Sequence, residues 1–77
     1  MENLKLLSDT AVGQSVVVRE LRIKGSMRRR LLDMGFCTDA KVECVGKSPS
    51  GDPSAYLIRG AVIALRRKDA EEIIVSS

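Results

Sequence analysis

Histidine and tryptophan are absent from this 77-residue chain, and its aromatic side chains are one phenylalanine and one tyrosine, Phe36 and Tyr56. Without histidine the chain lacks both the commonest general base and the commonest metal-ligating side chain. It has two cysteines, Cys37 and Cys44, too few for the disulfide framework that supports very small secreted domains. With no histidine beside them to raise their nucleophilicity, both read as reduced structural thiols in or near the core. They stand alone, without a CxxC pair, and zinc normally takes four nitrogen or sulfur ligands, so the expected number of tightly bound cofactors and metals is none. The composition leaves room only for a weak transition-metal site, built on carboxylates such as Asp52 or Glu43. The glycines form neither a phosphate-cradling loop nor a dinucleotide fingerprint, because Gly51 stands among prolines and Gly25 lacks a preceding strand at the required spacing. Catalysis is therefore not expected.

Long apolar runs are missing as well. No segment approaches the ~20 apolar residues needed to span a bilayer. The N-terminal stretch Met1-Glu2-Asn3-Leu4-Lys5-Leu6-Leu7 carries an acid where a signal peptide has bases, and Lys5 interrupts its apolar run. The expected location is cytoplasmic, with any link to a membrane made through another protein.

What the chain does have is aliphatic bulk: 44% of its residues are hydrophobic, enough for one economical core and one domain over residues 1–77. Its net charge of +3 is modest but unevenly placed. Residues 19 to 30 hold Arg19, Arg22, Lys24, Arg28, Arg29 and Arg30 against the single acid Glu20, a cluster able to steer an acidic partner. A solvated face with no further role is the commoner use of such charges. Nucleic-acid binding would add exposed aromatic platforms for the bases, and two aromatics are a poor supply, so no nucleic-acid partner is expected.

Along the chain, Asp9 to Gly13 reads as a turn and Gln14 to Leu21, with Val16, Val17 and Val18, as a strand. Ser26 is a candidate N-cap for a short helix, Met27 to Met34, whose Met27, Leu31 and Met34 share one face and which Gly35 closes. Leu31, Met34 and Leu32 are expected to hold it on the body of the protein. Further strands are expected at Lys41–Lys47, Ser54–Arg59 and Ala61–Arg66, a helical turn at Asp69–Glu72, and a short closing strand at Ile73–Val75. A type II′ turn at Gly60-Ala61 would set Ile58 opposite Ile63 and Tyr56 opposite Leu65, giving one large apolar face. The expected core joins Tyr56, Ile58, Ile63, Leu65, Val42, Leu31 and Met34. On the other face Leu57, Ala64, Ala55 and Val62 are also apolar, which leaves either an interaction surface or a surface covered by Leu4, Leu6 and Leu7. This pattern predicts a mainly β fold: a small SH3-like five-stranded barrel with one short α-helix and a C-terminal helical turn, with an open α+β sheet as the alternative.

Three segments in succession, Arg30-Leu31-Leu32-Asp33-Met34-Gly35-Phe36, Pro49-Ser50-Gly51-Asp52-Pro53, and Arg59-Gly60 followed by Ile63-Ala64-Leu65-Arg66, resemble the FeoA family over almost the whole chain. One departure is Thr38-Asp39 where the family often has Pro-Gly, and Asp tolerates the left-handed backbone such a turn requires. The resemblance implies an SH3-like barrel and a non-enzymatic, cytosolic accessory role in ferrous iron transport, with FeoB, the GTP-hydrolysing membrane transporter, as protein partner. The same domain type also occurs fused to metal-dependent repressors, which makes a standalone metal-responsive regulatory module the second reading. The residues expected to meet a partner are Arg22, Lys24, Arg28, Arg29 and Arg30 on and beside the helix, with Leu57 and Val62 as the alternative face. The chain itself is expected to be a monomer.

Overall fold

A computed structural model describes residues 3–77, so the acidic Glu2 of the N-terminal reading lies outside the described residues. Six strands are present: β1 (Leu4–Leu6), β2 (Ser15–Leu21), β3 (Lys41–Lys47), β4 (Ser54–Ile58), β5 (Ala61–Leu65) and β6 (Ile73–Ser76). Helix α1 (Gly25–Asp33) joins β2 to β3, the single turn α2 (Arg67–Ala70) joins β5 to β6, and a 3-10 turn at Leu7–Asp9 follows β1. All pairings are antiparallel, in the order β1-β6-β2-β3-β4-β5.

This order corrects the expected five-stranded SH3-like barrel. The sheet is six-stranded and does not close. Closure would need the last strand to join the two free edges. Instead α2 carries the chain back so that β6 enters between β1 and β2, where both of its edges are used. Among the described residues no strand is left for the outer edge of β5. The sixth strand is the other half of the correction. Leu4–Leu6 pairs with Ile74–Ser76 at the far edge of the sheet, and only Leu7 turns fully into the core, so this segment does not cover the second face of β4 and β5.

The hairpin β4–β5 supplies Tyr56, Ile58 and Leu65 to the inner wall. Its two-residue turn is Arg59-Gly60, both at positive φ (51° and 81°), as a type I′ turn requires. The ladder pairs Ile58 with Ala61, Tyr56 with Ile63 and Ser54 with Leu65. The expected II′ turn at Gly60-Ala61 is thus displaced by one residue and the pairing by two. A shift of two preserves the side-chain parity of a strand, so the faces stand as expected. Tyr56, Ile58 and Leu65 are buried with Val16, Val18, Val42, Leu31, Phe36, Ile73 and Val75, and Ile63 and Met34 pack against them at the margin. Burial pushes the Tyr56 hydroxyl above its usual pKa, and that hydroxyl donates to the Leu7 carbonyl at 3.5 Å.

Helix α1 starts two residues earlier than a Ser26 cap would set it: Lys24 is the residue at its N-terminal boundary and offers no side-chain cap. Nine residues of helix without a cap are marginal alone, and packing holds them. Leu31 is fully buried, with Met27 and Met34 beside it, whereas Leu32 remains 41% exposed rather than packing inward. After the helix the chain turns at Gly35 (φ 107°), where an added Cβ would lie 2.7 Å from Cδ of Arg59. The Arg59 side chain packs over this glycine, whose left-handed backbone any other residue would strain. The C-terminal turn α2 comes two residues earlier than expected, and Asp52 from the preceding loop accepts the Arg67 backbone N–H at 2.9 Å.

Candidate functional site

Helical geometry divides α1 at ~100° per residue, placing Gly25, Arg28, Arg29 and Leu32 on the side away from Met27, Leu31 and Met34. With Asp33 they line a shallow groove of about 290 Å³. The lining sets the exposed Leu32 beside two arginines and one carboxylate, a mainly cationic surface able to meet an apolar side chain flanked by acids.

The arginines of this region are not equivalent. Arg28 donates through Nη1 to the Leu21 carbonyl at 2.7 Å, binding the helix to the end of β2. Arg22 pairs with Glu20 through Nε at 3.3 Å, a solvent-exposed contact of the kind worth about 0–1 kcal/mol. Arg19 is held at a bulge in β2, bonded to the Ser76 hydroxyl at 2.8 Å and to Asp39 at 2.7 Å. Asp39 stands at positive φ (74°), which fits the left-handed turn expected of Thr38-Asp39. Lys24, Arg29 and Arg30 are exposed, and no ion pair or hydrogen bond among the described residues occupies their side chains. Arg29 therefore combines a place in the groove with an uncommitted guanidinium, while Arg30 sits on the flank of the helix.

The alternative face lies across the sheet. Ser15, Glu43, Leu57 and Val62 form a row through four strands, since Ser15 pairs with Glu43, Glu43 with Leu57, and Leu57 with Val62. Leu57 is half-buried and Val62 is 64% exposed. Leu57 helps line a second groove of about 340 Å³ with Ser15, Lys41, Glu43, Arg59 and Gly60. The structure thus places the basic helix residues and the Leu57 and Val62 pair on different elements and does not bring them into one site.

The sequence reading passed over Arg66, Arg67 and Lys68. All three are exposed and follow β5 directly, and with Arg59 at its other end they bracket that strand in positive charge. Three consecutive cations after an apolar strand were the available signal.

Both aromatics are buried, Phe36 completely and Tyr56 almost so, so neither offers a platform for stacking bases. Among the described residues no three His, Cys, Asp or Glu side chains group to hold a metal ion. Cys44 is buried and Cys37 is partly exposed, its sulfur 3.7 Å from Nη2 of Arg59. Of the carboxylates singled out for weak metal binding, Asp52 is engaged by Arg67 and Glu43 belongs to the sheet row above. No helix among the described residues is long and apolar enough to cross a membrane.

Comparison with known proteins meets this geometry from outside. The FeoA domain model matches residues 5–77. The fused Fe(2+) transport protein A and Fe(2+) transporter FeoB of Porphyromonas gingivalis is 35% identical over 69 residues, which are 90% of this chain and 8% of that protein. The chain thus spans a small fraction of that curated relative's length. The solution structure of the FeoA protein from Chlorobium tepidum is 32% identical with a TM-score of 0.89, covering 94% of this chain and 69% of that one. Iron(II) transport protein A from Clostridium thermocellum is 30% identical with a TM-score of 0.88, covering 94% and 44%. The matched span holds five of the six strands whole, β1 but for Leu4, and both helices, and this chain belongs to the FeoA domain family.

Proposed function

We propose that this chain is a non-enzymatic cytoplasmic accessory protein of ferrous iron transport, which docks on a FeoB-type GTPase transporter and modulates it. The relative from Porphyromonas gingivalis carries this reading, because there an FeoA-like part and the transporter share one polypeptide. A covalent link supplies an effective concentration in the millimolar range for short flexible linkers, so a fused domain needs little intrinsic affinity. Where no linker helps, the domain must supply that affinity from its own surface. The outward face of α1 fits the need: Arg29 supplies an uncommitted positive charge beside the exposed Leu32. Ferrous iron is the transporter's cargo in this reading, and the chain binds no metal tightly. Its contact with the membrane runs through the partner alone.

The test is a titration of this chain into the isolated cytoplasmic portion of a FeoB-type transporter, with GTP hydrolysis followed in parallel. Saturable binding that weakens as salt is added, together with a changed rate of hydrolysis at saturation, is the expected result. Absence of binding at low ionic strength contradicts the reading.

A further inference from the structure

The outer edge of β5 is used by neither the core nor the helix groove. In a two-residue hairpin the residues flanking the turn exchange both of their hydrogen bonds, and the bonded pairs then alternate along the ladder. Ile58–Ala61, Tyr56–Ile63 and Ser54–Leu65 are accordingly the bonded pairs. The N–H and C=O groups of Val62 and Ala64 therefore point away from β4, off the open edge. Both residues are exposed, and no strand among the described residues pairs with that edge.

Natural sheets protect free edges, commonly by shortness or by charge. β1 uses both devices, being three residues long with Lys5 at its centre. β5 has neither within its span, since all five of its residues, Ala61-Val62-Ile63-Ala64-Leu65, are apolar. Its protection lies at its ends, in Arg59 on one side and Arg66, Arg67 and Lys68 on the other. Five extended residues at ~3.3 Å each separate these two cationic ends by roughly 17 Å.

We infer that this edge accepts an extended segment of another protein as a seventh strand, and that the segment carries acidic residues on both sides of about five alternating apolar and small polar residues. The charge pattern selects this occupant. Antiparallel pairing of two copies through β5 would set Arg59 of each against Arg66 and Arg67 of the other, which like-charge repulsion opposes. An acidic-flanked strand turns the same charges into attraction at both ends, while Val62 and Ala64 supply the main-chain bonds. This surface is separate from the α1 groove, and its occupancy does not depend on the docking proposed there.

The experiment is amide hydrogen exchange on the isotope-labelled full chain with two synthetic peptides, Glu-Asp-Thr-Val-Thr-Val-Thr-Asp-Glu and its counterpart with Lys and Arg at the ends. At a concentration about ten times its Kd the acidic peptide should slow exchange at Val62 and Ala64 about tenfold, because only unbound protein then exchanges. The basic peptide should leave both amides unchanged. Ala64→Pro removes an edge donor at a position where proline is tolerated, and should abolish the effect. The double variant Arg66→Glu, Arg67→Glu keeps the main chain intact and should weaken binding at least tenfold, so the charge requirement is tested even if the proline variant fails to fold. Equal protection by both peptides, no protection by either, or protection that grows with protein concentration in the absence of peptide would each overturn the inference, the last in favour of a second copy.

Discussion

Helix α1 and the hairpin β4–β5 each bury one face and expose the other, yet their exposed faces differ in kind. The helix turns Leu31 inward and presents arginines around a single leucine. The hairpin turns Tyr56 and Ile58 inward and presents Leu57, Val62 and Ala64. Charge on the outside of a short helix is the ordinary state of a surface element, and it points to a partner only where the charges are not already spent. That condition separates Arg29 from Arg28, whose guanidinium holds the Leu21 carbonyl. An apolar outside on an edge hairpin is not ordinary, and packing within the described residues does not require it. The two regions also touch, because Arg59 of the hairpin turn lies over Gly35 at the end of the helix.

The contrast between buried and outward faces is broken most severely from within. Leu31→Ala removes the one fully buried side chain of α1 and should cost about 2–5 kcal/mol, read as a lower denaturation midpoint. A cost within the range of an exposed substitution would mean that α1 is not held by its inner face.

The junction between the two regions comes next. Gly35→Ala meets the Arg59 side chain and a positive φ together, and should cost about 1–3 kcal/mol in chemical denaturation. Combining it with Arg59→Ala relieves the contact but not the backbone strain, so partial recovery is expected. Full recovery would assign the whole cost to the contact, and no recovery would assign it to the backbone.

Gly35 and Gly60 show what could be read from the sequence. A glycine after a periodic apolar run and another between two apolar strands are local signals, and both residues take positive φ as such positions require. The buried set around Tyr56, Ile58 and Leu31 was legible for the same reason, since parity and helical spacing are local. Closure of the sheet was not, because it depends on where β6 inserts, a choice among edges far apart in sequence. β1 was missed as a strand because Leu-Lys-Leu is too short to show alternation. The hairpin pairing went astray because glycine is preferred at the first central position of a II′ turn, whereas the fold places Arg59 in the left-handed region. In the candidate site, the cations around α1 were visible as a cluster. The hydrogen bond that commits Arg28 was not, because it joins residues of two elements through a main-chain carbonyl.

Within the outward face of α1 the effects are smaller and more discriminating. Arg28→Ala should lower stability by about 1 kcal/mol through the lost charge-assisted bond to Leu21, while Arg29→Ala should stay within about 0.5 kcal/mol. Equal losses in thermal or chemical denaturation would show that the two arginines do not differ in the way their contacts indicate.

In the proposed docking the outward groove of α1, and not the net positive charge of the chain, meets the transporter. The most direct test is a titration of the Arg29→Glu, Leu32→Ser double variant against the cytoplasmic portion of a FeoB-type transporter at low and high ionic strength. Circular dichroism and the denaturation midpoint should match the unaltered chain, since both side chains are exposed. The affinity should fall at least about tenfold at low salt, corresponding to about 1.4 kcal/mol, and its dependence on salt should flatten. An affinity and a salt dependence both equal to those of the unaltered chain would contradict the claim.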